Sequence, residues 1–147
     1  MDKKRTCSQR LKAVVEALPL KPGIRVLEIG CGPGAAAREI VKHIGKGYVL
    51  AIDRSEKAIA QAVKNSEEEI RSGRLSFRKA AVEDFLLEPD EQPFDIAFAV
   101  RVGALDGRHP GKGEQALPKI AGALTENGKL YIDGGNPLRE IPITGYR

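Results

Sequence analysis

A glycine-rich turn directly after an apolar strand constrains the fold of this chain more than any other feature. Residues 24–29 read IRVLEI, and Gly30, Gly32 and Gly34 follow at alternate positions. The apolar run shows no polar/apolar alternation, which predicts a strand buried on both faces of a parallel sheet. Glycine allows a tight turn with positive φ and lets a ligand approach the backbone closely. With a helix predicted to start at Ala35, the stretch forms a ligand-binding corner at the carboxyl end of a strand.

Strands and helices are predicted to alternate along the whole chain. The further strands are predicted at about 48–52, 75–80, 94–100 and 129–133. The helices are predicted at about 8–18, 35–44 and 55–72, with a last helix that carries Leu117, Ile120, Ala121 and Leu124 and ends at Asn127–Gly128. Pro118 is tolerable only in the first turn of that last helix. The alternation predicts a mostly parallel sheet in an α/β/α sandwich, with the first strand central, the second and third to one side and the fourth and fifth to the other.

Composition and charge limit the class of protein. At 147 residues, with 41% apolar and 30% charged residues, the chain is expected to be one globular domain. The net charge of +4 permits an anionic partner without arguing for nucleic acid, and the basic run 3–5 is interpreted as a solvated end. No apolar run is long enough to span a membrane. Cys7 and Cys31 show no metal-ligand spacing, so we expect a reduced, cytoplasmic protein without a metal site.

The glycine turn resembles motif I of the class I S-adenosylmethionine (SAM)-dependent methyltransferases, in which an acidic residue precedes x-Gly-x-Gly-x-Gly. Glu28 takes the acidic position. The resemblance covers about residues 24–133 and implies a Rossmann-like fold, SAM as cofactor and a small-molecule acceptor. It leaves a SAM-binding module without catalysis as an alternative. The turn also fits the dinucleotide fingerprint loosely, through Gly30, Gly32 and Ala35, so a nucleotide-binding oxidoreductase is a further alternative.

Two acidic residues bear on that choice. Asp53 ends the second strand, where a carboxylate can accept both hydroxyls of a ribose; it could instead serve only as a helix-entry residue beside the Ser55 cap. Glu28 would repel a dinucleotide pyrophosphate, whereas the ammonium and sulfonium of SAM favour a nearby carboxylate. Glu28 could also hold the turn in shape by accepting backbone N–H groups.

Several other positions are candidates through the same resemblance. Residues 80–85 are similar to the adenine-binding segment, but Ala81 stands where the family has Asp, which leaves the Val82 backbone and Glu83 or Asp84 as substitutes or as a solvated loop. Arg101 could hold an anionic acceptor or pair with an acidic neighbour, and His109 is interpreted as a loop residue. No catalytic residue is assigned. The predicted cofactor-binding residues are Glu28, Gly30, Cys31, Gly32, Gly34, Asp53, Arg54, Val82, Glu83 and Arg101.

The end of the chain is the last feature that the resemblance makes unusual. The family sheet has seven strands, and residues 134–147 with Pro137 and Pro142 are too few for two more. We therefore expect the sheet to stop at strand five or to gain one short piece around 141–144. The exposed edge of strand five predicts either a homodimer or a tail folded back across it. A partner subunit could then complete the acceptor pocket, and the chain could also be a fragment.

Overall fold

The computed structural model describes residues 7–146, so the basic run at 3–5 lies outside the described residues. Its helices are α1 (Gln9–Ala17), α2 (Ala35–Val41), α3 (Glu56–Asn65), α4 (Glu67–Arg71) and α5 (Pro110–Ala123). Its strands are β1 (Arg25–Ile29), β2 (Tyr48–Asp53), β3 (Leu75–Lys79), β4 (Phe94–Ala99), β5 (Leu124–Asp133) and β6 (Leu138–Ile141). Short 3₁₀ turns lie at Val82–Asp84 and Thr144–Tyr146.

The strands form one sheet in the order β3-β2-β1-β4-β5-β6. The first five strands are parallel, and β6 runs antiparallel to β5. The predicted order of the five parallel strands is confirmed, including the central position of β1 and the edge position of β3. Because parallel strands end at one edge of the sheet, the turns after β1, β2, β3 and β4 meet there.

Two apolar clusters cover the two faces of the sheet and give the predicted three-layer sandwich. On β1, Val26 packs with α1 and α2, whereas Leu27 and Ile29 pack with α5, as alternation along a strand requires. Ile40 of α2 and Ile120 of α5 are both fully buried. A strand covered on both faces explains why the sequence of β1 is a continuous apolar run.

The predicted helix over 55–72 is two helices in the structure. α3 ends before Ser66, whose backbone lies outside the helical region at φ −128° and ψ 30°. The fully buried Ser66 hydroxyl accepts a hydrogen bond of 3.0 Å from the Arg38 guanidinium, so a tertiary contact fixes the break. The predicted Ser55 cap is confirmed, since its hydroxyl accepts the Ala58 N–H, and Ser8 caps α1 in the same way through the Leu11 N–H.

The prediction for the last helix is wrong at both ends. α5 begins at Pro110 and ends at Ala123, so Pro118 lies in its interior and Leu124 opens β5. Pro118 has no N–H to donate to the Glu114 carbonyl, and both residues lie on the exposed face of α5. The early start is explained by Gly113, where a Cβ would stand 2.5 Å from the Ala104 carbonyl oxygen.

The tail folds back across strand five, which is one of the two predicted outcomes. β6 pairs with β5 from Leu130↔Ile141 to Asp133↔Leu138, three residues earlier in the chain than the predicted piece. Ile143 is buried in the same cluster as α5. The predicted homodimer required an open edge on β5, and in this structure β6 occupies that edge.

Candidate functional site

The turn after β1 is built by backbone hydrogen bonds that only glycine-rich sequence permits. Gly30, Gly32 and Gly34 have φ of 72°, 53° and 88°. The N–H groups of Gly30 and Cys31 both donate to the Ile52 carbonyl of β2, at 2.8 and 3.0 Å. These two hydrogen bonds tie the turn to the end of β2. The positive φ values of the three glycines agree with the prediction from the sequence.

Asp53 holds this turn from β2. Its Oδ2 accepts the Gly32 N–H at 2.9 Å, and its Oδ1 accepts the Ser55 N–H at 2.9 Å. The sequence left turn holding as an alternative role for Glu28 and helix entry as an alternative role for Asp53. In the structure Asp53 makes both of these contacts. Each carboxylate oxygen can accept a second hydrogen bond, so Asp53 keeps acceptor capacity for ribose hydroxyls.

Glu28 is a buried carboxyl group without a hydrogen bond. It is 5% exposed, and its Oε1 finds no donor among the residues that the structure describes. Burial first, and then the nearby Asp53 charge, raise the pKa of Glu28 to about 8, while the Arg38 guanidinium opposes the shift. An unsatisfied buried carboxyl beside a ligand-binding turn is costly, and a cationic group brought there would offset the cost.

A cleft of about 300 Å³ opens at the carboxyl edge of the sheet, over the ends of β1 and β2. Six of the ten predicted cofactor-binding residues line it, namely Gly30, Asp53, Arg54, Val82, Glu83 and Arg101. Val82 opens a 3₁₀ turn, where the first N–H groups have no acceptor within the turn. Asp84 is the other residue predicted to replace the adenine-binding Asp of the family. It is exposed and does not line the cleft.

The other four predicted residues lie outside the cleft lining: Glu28, Cys31, Gly32 and Gly34. Cys31 is buried, which raises the pKa of its thiol, and its Sγ donates to the Gly32 carbonyl at 3.5 Å. A Cβ at Gly34 would stand 2.9 Å from the Phe77 ring, so this glycine serves packing. A Cβ at Gly32 would meet no atom within 4 Å, so the space above it is open to a ligand.

The loop between β4 and α5 forms the other wall of the cleft. Arg101 adopts a left-handed backbone at φ 57°, which is unfavourable for a residue with a side chain. Its N–H donates to Asp133 Oδ1 at 3.0 Å, and its carbonyl accepts from the Arg108 guanidinium at 2.8 Å. His109, interpreted from the sequence as a loop residue, lines the cleft and packs on Gly103, where a Cβ would stand 2.5 Å from its ring.

Sequence reasoning missed two basic residues of this wall, Arg108 and Lys112. Both lie in residues 103–113, and the glycines of this stretch favour a loop when the sequence alone is considered. The available signal was Pro110, because proline is favoured at the first position of a helix. A helix that starts there carries Lys112 in its first turn, beside the ends of the strands.

Two structural findings concern other kinds of site. Among residues 7–146, no helix is both long and apolar enough to cross a lipid bilayer. Within the same residues, no group of three or more His, Cys, Asp or Glu side chains is arranged to hold a metal ion.

The fold and the cleft together define a Rossmann-like α/β domain with a ligand-binding corner at its glycine turn. A family model described as a methyltransferase domain matches residues 26–128, which is most of the chain. The chain therefore belongs to this methyltransferase family, as the resemblance of its glycine turn implied.

Three similar proteins illustrate the range of the relatives. Sterol 24-C-methyltransferase ERG6B of Gibberella zeae is 37% identical over 79% of this chain and 27% of its own length. A phosphoethanolamine N-methyltransferase 2 of Haemonchus contortus, in complex with phosphomonomethylethanolamine and S-adenosylhomocysteine, has a TM-score of 0.68 at 27% identity, over 84% of this chain and 27% of that one. The [4+2]-cyclase SpnF has a TM-score of 0.68 at 26% identity, over 83% of this chain and 43% of that one. The chain thus spans about a quarter to a half of these relatives.

Proposed function

We propose that this chain is a SAM-dependent methyltransferase domain that methylates a small-molecule acceptor. The observation that carries the proposal is the arrangement of two carboxyl groups at the glycine turn. Glu28 is buried without a hydrogen-bond donor, and Asp53 faces the cleft with acceptor capacity left. SAM brings an ammonium and a sulfonium for the first group and a ribose diol for the second.

The remaining contacts of the cofactor follow from the cleft. Val82 and Glu83 would meet the adenine edge, and Gly32 would let the ligand approach the backbone. When bound, SAM supplies a methyl group attached to a sulfonium. The sulfur leaves as a neutral thioether, so no acid is needed to protonate it. The chain aligns the acceptor with that methyl group and excludes water, which is where most of the rate enhancement of such a displacement arises. We assign no general base, although His109 lies in the wall of the cleft.

The alternative of SAM binding without methyl transfer is supported by the similarity to SpnF, which is described as a cyclase. A nucleotide-binding oxidoreductase is disfavoured, because the family model that matches residues 26–128 describes a methyltransferase domain. We further propose that the chain is a single SAM-binding domain of the cytoplasm, where the free thiols Cys7 and Cys31 would stay reduced. A homodimer through β5 would first have to displace β6.

The first experiment is a calorimetric titration with SAM, with S-adenosylhomocysteine and with NAD. We expect both SAM-derived ligands to bind and NAD not to bind. Asp53→Ala should weaken binding by about 1.5–3 kcal/mol, the range for hydrogen bonds to a charged group. The matched control is Asp95→Ala, which also removes a carboxylate that accepts a backbone N–H, from Arg25 at 2.9 Å, but at the opposite edge of the sheet. Binding that falls equally in both variants would refute the ribose role.

The second experiment measures methyl transfer from labelled SAM to a panel of small-molecule acceptors. Label that moves to an acceptor and is lost in Asp53→Ala supports the enzyme. SAM binding together with turnover of a test substrate without label transfer would favour the cyclase-like alternative.

A further inference from the structure

The charges of the cleft are divided between its two walls. On one side, Asp53 ends β2, Arg54 follows it, and Glu83 lies in the 3₁₀ turn after β3. The opposite wall, after β4, carries Arg101, Arg108 and Lys112. The side where the nucleoside is proposed to bind therefore carries charges of both signs, whereas the charged residues of the side beyond it are all basic.

Arg108 is the one basic residue of this wall whose charge is neutralised locally within the described part of the chain. Its guanidinium lies 2.9 Å from an Asp106 carboxylate oxygen, and its Nη2 also donates to the Arg101 carbonyl. This pairing gives Arg108 a role in holding the loop. Arg101 and Lys112 make no ion pair with any residue from 7 to 146.

The acidic neighbour available to Arg101 is engaged elsewhere. Asp133 accepts the Arg101 backbone N–H through Oδ1, and its Oδ2 pairs with the Arg10 guanidinium at 3.0 Å. The same contact that satisfies Asp133 holds Arg101 in its left-handed conformation. The backbone of Arg101 is thus fixed by Asp133, while the residue lines the cleft and its side chain makes no ion pair with residues 7–146.

The first turn of α5 adds to the positive charge of this wall. Lys112 lies there and contributes its ammonium group, whereas the N–H groups of Lys112 and Gly113 already donate to the His109 carbonyl. A concave site with two cations that lack an ion pair favours an oxyanion.

We propose that the methyl acceptor is a small oxyanion, a carboxylate or phosphate ester, bound by Arg101 and Lys112. This inference rests on the proposed methyltransferase function and adds the class of acceptor to it. The wall after β2 and β3 would hold the nucleoside, and the basic wall after β4 would bring the acceptor anion to the methyl group. The competing explanation is that these cations bind the carboxylate of SAM itself.

The test uses the full chain saturated with S-adenosylhomocysteine, into which citrate or inorganic phosphate is titrated at low ionic strength. We expect saturable binding of at least one of the two anions, and which one binds distinguishes a carboxylate from a phosphate acceptor. A double variant, Arg101→Gln with Lys112→Gln, should weaken that binding by about tenfold for each charge removed. The matched control, Lys12→Gln with Lys64→Gln, removes the same charge from exposed sites on α1 and α3 and should bind within about threefold of the parent.

Three outcomes would overturn the inference. They are the absence of saturable anion binding to the loaded protein, equal loss in both double variants, and loss of S-adenosylhomocysteine affinity alone, which would assign the cations to the cofactor. Failure of the chain to bind S-adenosylhomocysteine at all would instead refute the proposed function. A labelled-methyl screen of carboxylic acids and phosphate monoesters against their neutral amides and alcohols then identifies the acceptor class directly.

Discussion

Replacement of Glu28 by Gln tests whether the buried carboxyl group is tuned for a cationic ligand. The substitution keeps the shape of the side chain and removes its ionisation. Because the pKa of Glu28 is raised from 4.5 to about 8, the folded chain holds a proton between these values that the unfolded chain has lost. The free energy of unfolding should therefore fall as pH rises through this window, by up to about 1.4 kcal/mol per pH unit from this group.

The predicted measurement is the difference in stability between Glu28→Gln and the parent, from urea unfolding at several pH values from 5 to 9. Near pH 5 the two proteins should be about equally stable, since Glu28 is protonated in the folded state. As pH rises, the free energy of unfolding of the variant should increase relative to that of the parent. This difference should become constant above about pH 8. A difference in the free energy of unfolding that stays constant from pH 5 to 9 would refute the raised pKa of Glu28.

The same group should link ligand binding to proton release. An ammonium or sulfonium beside Glu28 favours its ionised form, so S-adenosylhomocysteine or SAM should displace the proton when it binds. The affinity of the parent should then rise by up to about tenfold per pH unit between pH 5.5 and 7, where the amine of the ligand stays protonated. Calorimetry in buffers of different ionisation enthalpy should show proton release from the parent and none from Glu28→Gln. Equal proton release from the two would show that Glu28 does not meet the cation.

Glycine substitutions in matched pairs test the packing of α5 and the open space at the turn. Gly113→Ala would place a Cβ 2.5 Å from the Ala104 carbonyl oxygen and should lower the free energy of unfolding, measured by urea titration, by about 1–3 kcal/mol. Gly122→Ala would place a Cβ with no atom within 4 Å and should raise the free energy of unfolding by about 0.4–1 kcal/mol. A Gly113→Ala variant as stable as Gly122→Ala would contradict the close packing. Gly32→Ala and Gly23→Ala both place a side chain at positive φ in open space and should each cost about 1–2 kcal/mol of stability, but only Gly32→Ala should lose SAM affinity. Unchanged affinity in folded Gly32→Ala would make that turn purely structural.

The parts of the fold that sequence predicts well are those encoded by local pattern. The continuous apolar run of β1 and the glycine turn after it are such patterns, because burial on both faces and positive φ each demand particular residue types. Asp53 could be placed at the cleft for the same reason, as it ends an apolar strand after that turn. The strand order then followed from the alternation of strands and helices.

The parts that sequence could not predict depend on contacts between distant residues. The early start of α5 needs Gly113 to pack on Ala104, and the break before α4 needs the Ser66 hydroxyl to meet Arg38. Neither contact has a local signature, and glycine by itself argues against a helix. The hydrogen bond from the Gly32 N–H to Asp53 rather than to Glu28 could not be predicted for the same reason, because the direction of that N–H is set by the path of the turn.

The position of the bound cofactor is the most direct test of the proposed site. We predict that a crystal structure of the chain with S-adenosylhomocysteine will show both ribose hydroxyls within about 2.6–3.2 Å of the Asp53 carboxylate oxygens. The amino group of the ligand should lie beside Glu28, and its adenine should lie against Val82. A ligand seated elsewhere in the cleft, or a ribose that leaves Asp53 bonded only to Gly32 and Ser55, would contradict the site.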